Sequence, residues 1–216
     1  MPSSTAAVWP SPGLFALALI PGFVLTLAAA SVWGTALVEA LLPLTRALLN
    51  WMDGRFGVLF LGVEHNWQDT VIRLQLGFSK AFFLGGHVVL PDPRGALWVT
   101  TPVGSLLQPL VIAPAMAAAL PGRVAARLTR FGLAALFALG FLVVDLPVTL
   151  HALSWDTLAY DVKLNDFSPL LAWNQFMQSG GRLGIGVLMG LITWWMGRRS
   201  PSPLRQHNEH SKSIQL

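Results

Sequence analysis

Four long apolar stretches alternate with more polar segments along the chain. The first, Leu14 to Trp33, runs for twenty residues without a charged side chain. About twenty apolar residues form a helix long enough to cross a bilayer. Three further apolar stretches follow at 98–120, 131–150 and 180–197. The pattern predicts an all-α integral membrane protein with about four transmembrane helices, the last three forming one region, 98–197, with an external loop at 151–179.

Residues 35–52 are apolar apart from one polar stripe. Thr35, Glu39, Arg46 and Asn50 fall within a narrow arc at about 100° per residue. We therefore expect an amphipathic helix that lies on the membrane or packs on the bundle. A further span that buries Glu39 and Arg46 is the alternative, but each charge at membrane depth would cost roughly 2.5–3.5 kcal/mol.

The segment from 53 to 97 contains short runs with the pattern of β-strands. In 70–76, Ile72, Leu74 and Leu76 alternate with less apolar residues, which indicates a half-buried strand. The runs 87–90 and 96–100 flank a Pro-Asp-Pro-Arg-Gly cluster, which predicts a hairpin. Together with the amphipathic helix, the sequence predicts an external β-containing subdomain over 34–97.

Composition strengthens the membrane interpretation. The chain of 216 residues is 54% hydrophobic and 11% charged, whereas soluble domains carry roughly 25% charged residues. This balance excludes an ordinary soluble enzyme, a disordered protein and a nucleic-acid-binding module. The chain has no cysteine, so disulfides, thiolate nucleophiles and iron–sulfur clusters are excluded as well.

The distribution of charge predicts the orientation. The 121–130 turn and the 198–216 tail together hold seven Lys and Arg residues against one acid, whereas 34–97 holds five of each sign. Because Lys and Arg favour the cytoplasmic side, both termini are predicted to be cytoplasmic. The 34–97 subdomain and the 151–179 loop would face outside, which is the periplasm in a Gram-negative cell.

Both ends of the chain carry their own predictions. Residues 1–13 lack the Lys or Arg of a signal peptide, so 1–33 is interpreted as an N-terminal segment with a retained first helix. The Ala-rich end of that helix keeps a cleaved signal peptide as the alternative. Residues 198–216, rich in Ser, Pro, His and Gln, are predicted to be a disordered cytoplasmic tail.

Asp145 is the most unusual residue of the apolar stretches. It lies about 22 Å along a helix that begins at 131, near the outer boundary of the membrane. An acid in a span is a functional hypothesis with a partner to be named, and we expect Arg182 to pair with it structurally. A proton or substrate role stays open, with His87 and His151 completing a candidate catalytic site. The histidine spacing matches no metal-binding pattern, so no metal and no cofactor is predicted.

Glycines recur on the last apolar stretch. Gly180 and Gly184, and then Gly186 and Gly190, have the small-xxx-small spacing of close helix contacts. We expect this face to pack against another helix, either of this chain or of a partner.

The order of parts is similar to that of exosortase-type membrane transpeptidases. The run from Leu90 to Ser105 looks like the segment that enters a span at its catalytic Cys, and Arg123 to Arg130 looks like the basic turn that follows. The resemblance implies that Thr100 or Thr101 occupies the position of the Cys. It is one of layout over roughly 84–151, without a specific motif, and Asp145 stands where an Arg would be expected.

The preferred interpretation is a polytopic inner-membrane accessory or assembly subunit without catalysis of its own. Its expected partners are the lipid bilayer and other membrane protein subunits, and not nucleic acid. Few polar groups line the apolar stretches, which argues against a transport path. A membrane-embedded enzyme with an outer-face site is the first alternative and a small transporter the second, and whether the chain is an enzyme stays open.

Overall fold

The structure is a computed structural model that describes residues 12–66, 69–84, 86–91, 95–161 and 168–199. Its helices are α1 Pro12–Met52, α2 Val103–Ala119, α3 Val124–Asp161, α4 Pro169–Phe176 and α5 Arg182–Arg199, with a π-helical turn Met177–Gly181 between the last two. Its strands are β1 Phe56–Asn66, β2 Asp69–Phe78, β3 Phe82–Leu84, β4 His87–Val89 and β5 Leu97–Pro102. Nearly all of the predicted 198–216 tail lies outside the described residues.

Helix α1 is a single helix of 41 residues, about 61 Å long. The predicted transmembrane and amphipathic helices are therefore two halves of one helix, which differs from the sequence-based expectation. The predicted boundary at residue 34 does not end the helix, because Gly34 serves a close contact there and faces Leu107 of α2. Pro21 and Pro43 also lie inside the helix.

Within the described part of the chain, two helices are long and apolar enough to cross a membrane, judged by length and composition. They cover Phe15–Met52 and Val124–Tyr160. The predicted second span is shorter than expected, because its first residues form β5 and only the 17 residues of α2 are helical. The predicted third span is longer, because α3 continues to Asp161 and includes the first part of the expected 151–179 loop.

The helices pack around α2. Thr26 of α1 donates a hydrogen bond to the carbonyl oxygen of Val111 at 2.9 Å, and Gly22 faces Ala115. Gly34 faces Leu107, so residue numbers rise along α1 while those of the contacted residues fall along α2. The two helices are therefore antiparallel.

Helix α5 lies on another side of α2 and runs parallel to it. A Cβ atom at Gly186 would be 3.2 Å from the Cα atom of Pro109, and one at Gly190 would be 3.0 Å from the carbonyl oxygen of Ala113. The glycines therefore allow the two backbones to approach closely. Gly180 and Gly184 have no such neighbour among the described residues.

The sheet has the antiparallel order β1-β2-β5. The alternation predicted for 70–76 is confirmed, because Ile72, Leu74 and Leu76 of β2 are buried. The predicted hairpin is wrong: β4 pairs with β3, and β5 pairs with β2. Both runs have the strand pattern, but each finds its partner elsewhere. The sequence analysis did not predict β1, although β1 is the longest of the described strands.

The main apolar core joins the sheet to the helices. Val38 and Leu49 of α1, Leu74 of β2, and Leu146 and Leu150 of α3 all belong to it. The second half of α1 thus supports the sheet, and Arg46 of that half donates to the carbonyl oxygen of Val58 at 3.0 Å. We call this end of the bundle the sheet end, and the opposite end, at residues 120–123, the turn end.

The glycine contacts generate the first prediction. Gly190→Leu places a large side chain against the α2 backbone, and overpacking of this kind costs about 1–3 kcal/mol. Gly184→Leu makes the same exchange on the same helix, where nothing lies within 4 Å of a Cβ atom. We expect Gly190→Leu to lower the melting temperature and accumulation of the detergent-solubilised protein, and Gly184→Leu to remain close to wild type. Equal effects of the two variants would contradict the packing of α5 on α2.

Candidate functional site

A buried ion pair joins α3 to α5 at the sheet end. Arg182 Nε donates to Asp145 Oδ2 at 2.7 Å, and both side chains are 1% exposed. Arg182 Nη2 also donates to Thr149 Oγ1 at 2.7 Å. The Thr149 hydroxyl in turn donates to Asp145 Oδ1 at 3.2 Å. The three side chains therefore form a closed set of hydrogen bonds, and Asp145 has the partner that the sequence suggested.

These hydrogen bonds explain how the charges are accommodated. Removing two charges from water costs several kcal/mol per ion, and their attraction compensates only with good geometry and further hydrogen bonds. Thr149 provides those bonds to both Asp145 and Arg182. Its position could have been anticipated, because a residue four positions after Asp145 on a helix lies on the same face.

The start of α5 depends on two glycines. Gly180 has a φ of 109°, a conformation that side chains other than glycine rarely adopt. A Cβ atom at Gly181 would lie 2.7 Å from the carbonyl oxygen of Phe176. Both glycines are therefore required by the kinked π-helical turn, which leads directly into Arg182. Turns of this kind occur frequently at functional sites.

A cavity of about 310 Å³ lies next to the ion pair. Strand β5, α2, α3, the π-helical turn and α5 all contribute to its walls. Among the described residues that line it, Arg182 has the only ionisable side chain. The cavity is lined by Thr100, Thr101, Pro102, Ser105, Gln108, Leu153, Met177, Gln178 and Arg182.

Part of the Arg182 guanidinium remains available to a ligand. A guanidinium carries five N–H donors. Within the described part of the chain, the hydrogen bonds of Arg182 use Nε and Nη2 only. Its Nη1 group and one N–H of Nη2 therefore have no acceptor there. Arg182, a buried cation with three unused donors among the described residues, lines a cavity whose other described polar side chains are hydroxyls and carboxamides.

His151 belongs to a different cluster. Its Nε2 accepts a hydrogen bond from Trp155 Nε1 at 3.2 Å and lies 4.0 Å from Asp53 Oδ2. Arg55 binds the Asp53 carboxylate through Nε and Nη2, the latter at 2.7 Å. The Arg55 guanidinium also lies 4.7 Å from the centre of the Trp155 ring. This cluster joins the end of α1 to α3, and aromatic rings surround it.

The charge of Asp53 is stabilised by its neighbours. Burial acts to raise the pKa of Asp53, but the hydrogen bonds and positive charge of Arg55 outweigh it and hold this pKa below its ordinary value. The same contact raises the pKa of Arg55. Asp53 and Arg55 are therefore a charged pair that holds the α1–β1 connection in place.

Of the four candidate catalytic residues, the three whose side chains the structure describes are divided between two clusters. Asp145 and Arg182 pair with each other, whereas His151 contacts Asp53 and Trp155. His87 lies on β4, and its side chain is outside the described residues. Thr100 and Thr101, the positions that the exosortase-like layout singles out, line the cavity together with Arg182.

A second buried arginine occupies the turn end. Arg130 is 5% exposed. It donates to the carbonyl oxygens of Leu120 and Pro121, at 3.4 and 3.2 Å. These bonds satisfy carbonyls at the end of α2, where a helix lacks its own donors. Fifteen residues separate Arg130 from Asp145 on α3, which corresponds to about 22 Å.

Comparison of the chain with protein-family models, curated proteins and solved structures finds no match.

A double-mutant cycle tests the buried pair. Asp145→Asn and Arg182→Gln each leave one charge buried without its partner, and breaking such a pair costs about 3–5 kcal/mol. We expect the double variant to be less destabilised than the sum of the two single variants, measured by thermal or denaturant unfolding in detergent. Additive effects, or single effects within about 0.5 kcal/mol of wild type, would show that the pair does not hold α3 to α5.

Proposed function

We propose that this chain is a four-span accessory subunit of a larger inner-membrane complex, with its sheet end outside the cytoplasm. It contributes no catalysis of its own. Instead, it presents the sheet and the ends of its long helices to a partner protein.

Helix lengths and directions support four spans. Helices α2 and α5 contain 17 and 18 residues, so they extend about 26 Å each, close to the roughly 30 Å of a hydrocarbon core. They run parallel to each other and antiparallel to α1 and α3, as chain parity requires for four crossings. The buried charges of Arg130 and Arg182 then lie near the two boundaries of the membrane, where they are tolerated best.

Charge supports the orientation. Arg123, Arg127 and Arg130 lie within eight residues at the turn end, without an acid between them. Basic residues near the ends of spans favour the cytoplasmic side. Helices α1 and α3, with 41 and 38 residues, are much longer than α2 and α5. Their additional length lies at the sheet end and would project beyond the membrane.

Exposed aromatic side chains on this projection are the observation that carries the accessory role. Trp51 at the end of α1, Phe83 on β3 and Tyr160 at the end of α3 are 83, 79 and 82% exposed. They lie beyond the reach of the short helices, so the bilayer core would not cover them. Aromatic residues are enriched in protein interfaces, and exposed apolar surface marks a binding site. The partner is expected to offer an apolar surface outside the membrane.

A membrane-embedded enzyme is the second candidate. It is favoured by one observation, the presence of Arg182 beside the hydroxyls of Thr100 and Thr101 in a single cavity. A threonine nucleophile needs a base within hydrogen-bonding reach, and none of the described residues that line the cavity can act as one. The accessory role is therefore the better supported of the two.

Affinity purification from native membranes in mild detergent, with mass spectrometry of the bound proteins, tests this role. We expect a stoichiometric partner, and we expect the Trp51→Ala/Phe83→Ala variant to recover at least tenfold less of it, because truncating a hot-spot residue, a class in which Trp is enriched, costs about 2 kcal/mol or more. Trp33→Ala/Phe23→Ala removes the same side-chain types from the exposed face of the first half of α1 and should leave recovery unchanged. A chain that purifies alone would contradict the accessory role. A partner retained by both variants would exclude the aromatic projection as its binding surface.

A further inference from the structure

We infer that the cavity beside Arg182 binds the phosphodiester group of a phospholipid in the outer leaflet. This inference rests on the proposed four-span topology but not on the proposed partner. It assigns a ligand to a cavity that the accessory role leaves unused.

The donor set fits a phosphate oxygen. A guanidinium binds phosphate through parallel N–H donors, and Arg182 has three donors without an acceptor in the described chain. Thr100, Gln108 and Gln178 line the same cavity and can donate further hydrogen bonds. Phosphate oxygens accept several hydrogen bonds at once, so a single group can use donors from β5, α2 and α5 together.

Charge selects a singly charged group. Asp145 already compensates the Arg182 charge through a 2.7 Å contact, so the pair as a whole is neutral. A phosphodiester carries one negative charge, whereas a phosphate monoester carries about −1.5 to −2 at pH 7. The second charge would be repelled by Asp145 without a further cation among the cavity residues. The site therefore suits a diester better than a monoester.

Depth and shape indicate that the diester belongs to a lipid. With Arg130 at the inner boundary, the ion pair lies about 22 Å further along α3. In a core of roughly 30 Å this is about 8 Å below the outer boundary, so the cavity lies in the outer third of the core, next to the outer-leaflet headgroups. Leu153 and Met177 add apolar walls to the polar ones, which suits a headgroup with a glycerol backbone. A volume of about 310 Å³ is enough for the headgroup, and the acyl chains would remain in the bilayer.

Thermal stability of the purified full chain in detergent tests the inference, with dioctanoylphosphatidylglycerol as the probe. A ligand that binds the folded state raises the melting temperature with concentration. We expect such a rise with this lipid, and none with dioctanoylglycerol, which lacks the phosphate, or with inorganic phosphate. The comparison distinguishes a site for a lipid phosphodiester from a site for acyl chains alone and from a site for a soluble anion.

Matched variants locate the binding in the cavity. Gln108→Leu/Gln178→Leu removes two lining carboxamides without touching the ion pair, and Gln175→Leu makes the same exchange at an exposed position of α4. We expect the double variant to bind the lipid about tenfold more weakly, a loss of roughly one hydrogen bond, and Gln175→Leu to bind like wild type. Arg182→Lys keeps the charge beside Asp145 but loses the planar donor set, so its lipid-dependent rise should also be lost.

The inference would be overturned if dioctanoylphosphatidylglycerol gave no rise, or if dioctanoylglycerol or inorganic phosphate stabilised the protein equally. It would also be overturned if the Gln108→Leu/Gln178→Leu or the Arg182→Lys variant retained the lipid-dependent rise in full. None of these results bears on partner recovery in the affinity purification. A failed lipid site and a failed accessory role are therefore distinguishable.

Discussion

The contact between Asp145 and Arg182 is the constraint on which the sheet end depends. A buried charge without its partner is far costlier than an ordinary lost contact. The pair therefore fixes the position of α5 relative to α3 along the helix axes. The same contact brings the Arg182 guanidinium to the wall of the cavity and leaves three of its donors without an acceptor among the described residues. Stability and candidate binding chemistry thus depend on one side chain, and the glycines of the π-helical turn allow α5 to begin at that point.

A second arginine plays a comparable part at the turn end. Arg130 satisfies carbonyl oxygens at the end of α2, and its side chain packs beside Gly197 of α5. Between the two arginines, contacts of α1 and α5 with α2 rely on small residues such as Gly22 and Gly190. In the proposed membrane setting, where the solvent is as apolar as these contacts, close packing and a few polar contacts must provide the specificity. The structure concentrates its buried cations at the two ends of the bundle and its small residues between them.

Features that depend on local sequence were predicted better than features that depend on which distant segments pair. The alternation in β2 and the unusual Asp145 were visible in the sequence, because each depends on the residue's own neighbourhood. The hairpin prediction failed because a turn signal does not say which strand β5 joins, and β2 offered buried partners. The division of α1 failed because the change from an uncharged stretch to one with a polar stripe occurs without a break in the helix, and Gly34 at that point packs against Leu107. The cavity was beyond sequence reasoning, since its walls come from segments between residues 100 and 182 that only the fold brings together.

The side of the membrane on which each segment lies is the most direct test of this account, and a chain without cysteine suits it well. Single Ala125→Cys, Gln175→Cys and Ser79→Cys variants place a thiol at exposed positions of the turn end, α4 and the sheet. Four spans predict that an impermeant maleimide added to intact cells labels Cys at 79 and 175 but not at 125. Crossing by α1 and α3 alone would reverse the last two results, with 125 labelled and 175 protected, and would contradict the proposed four-span subunit.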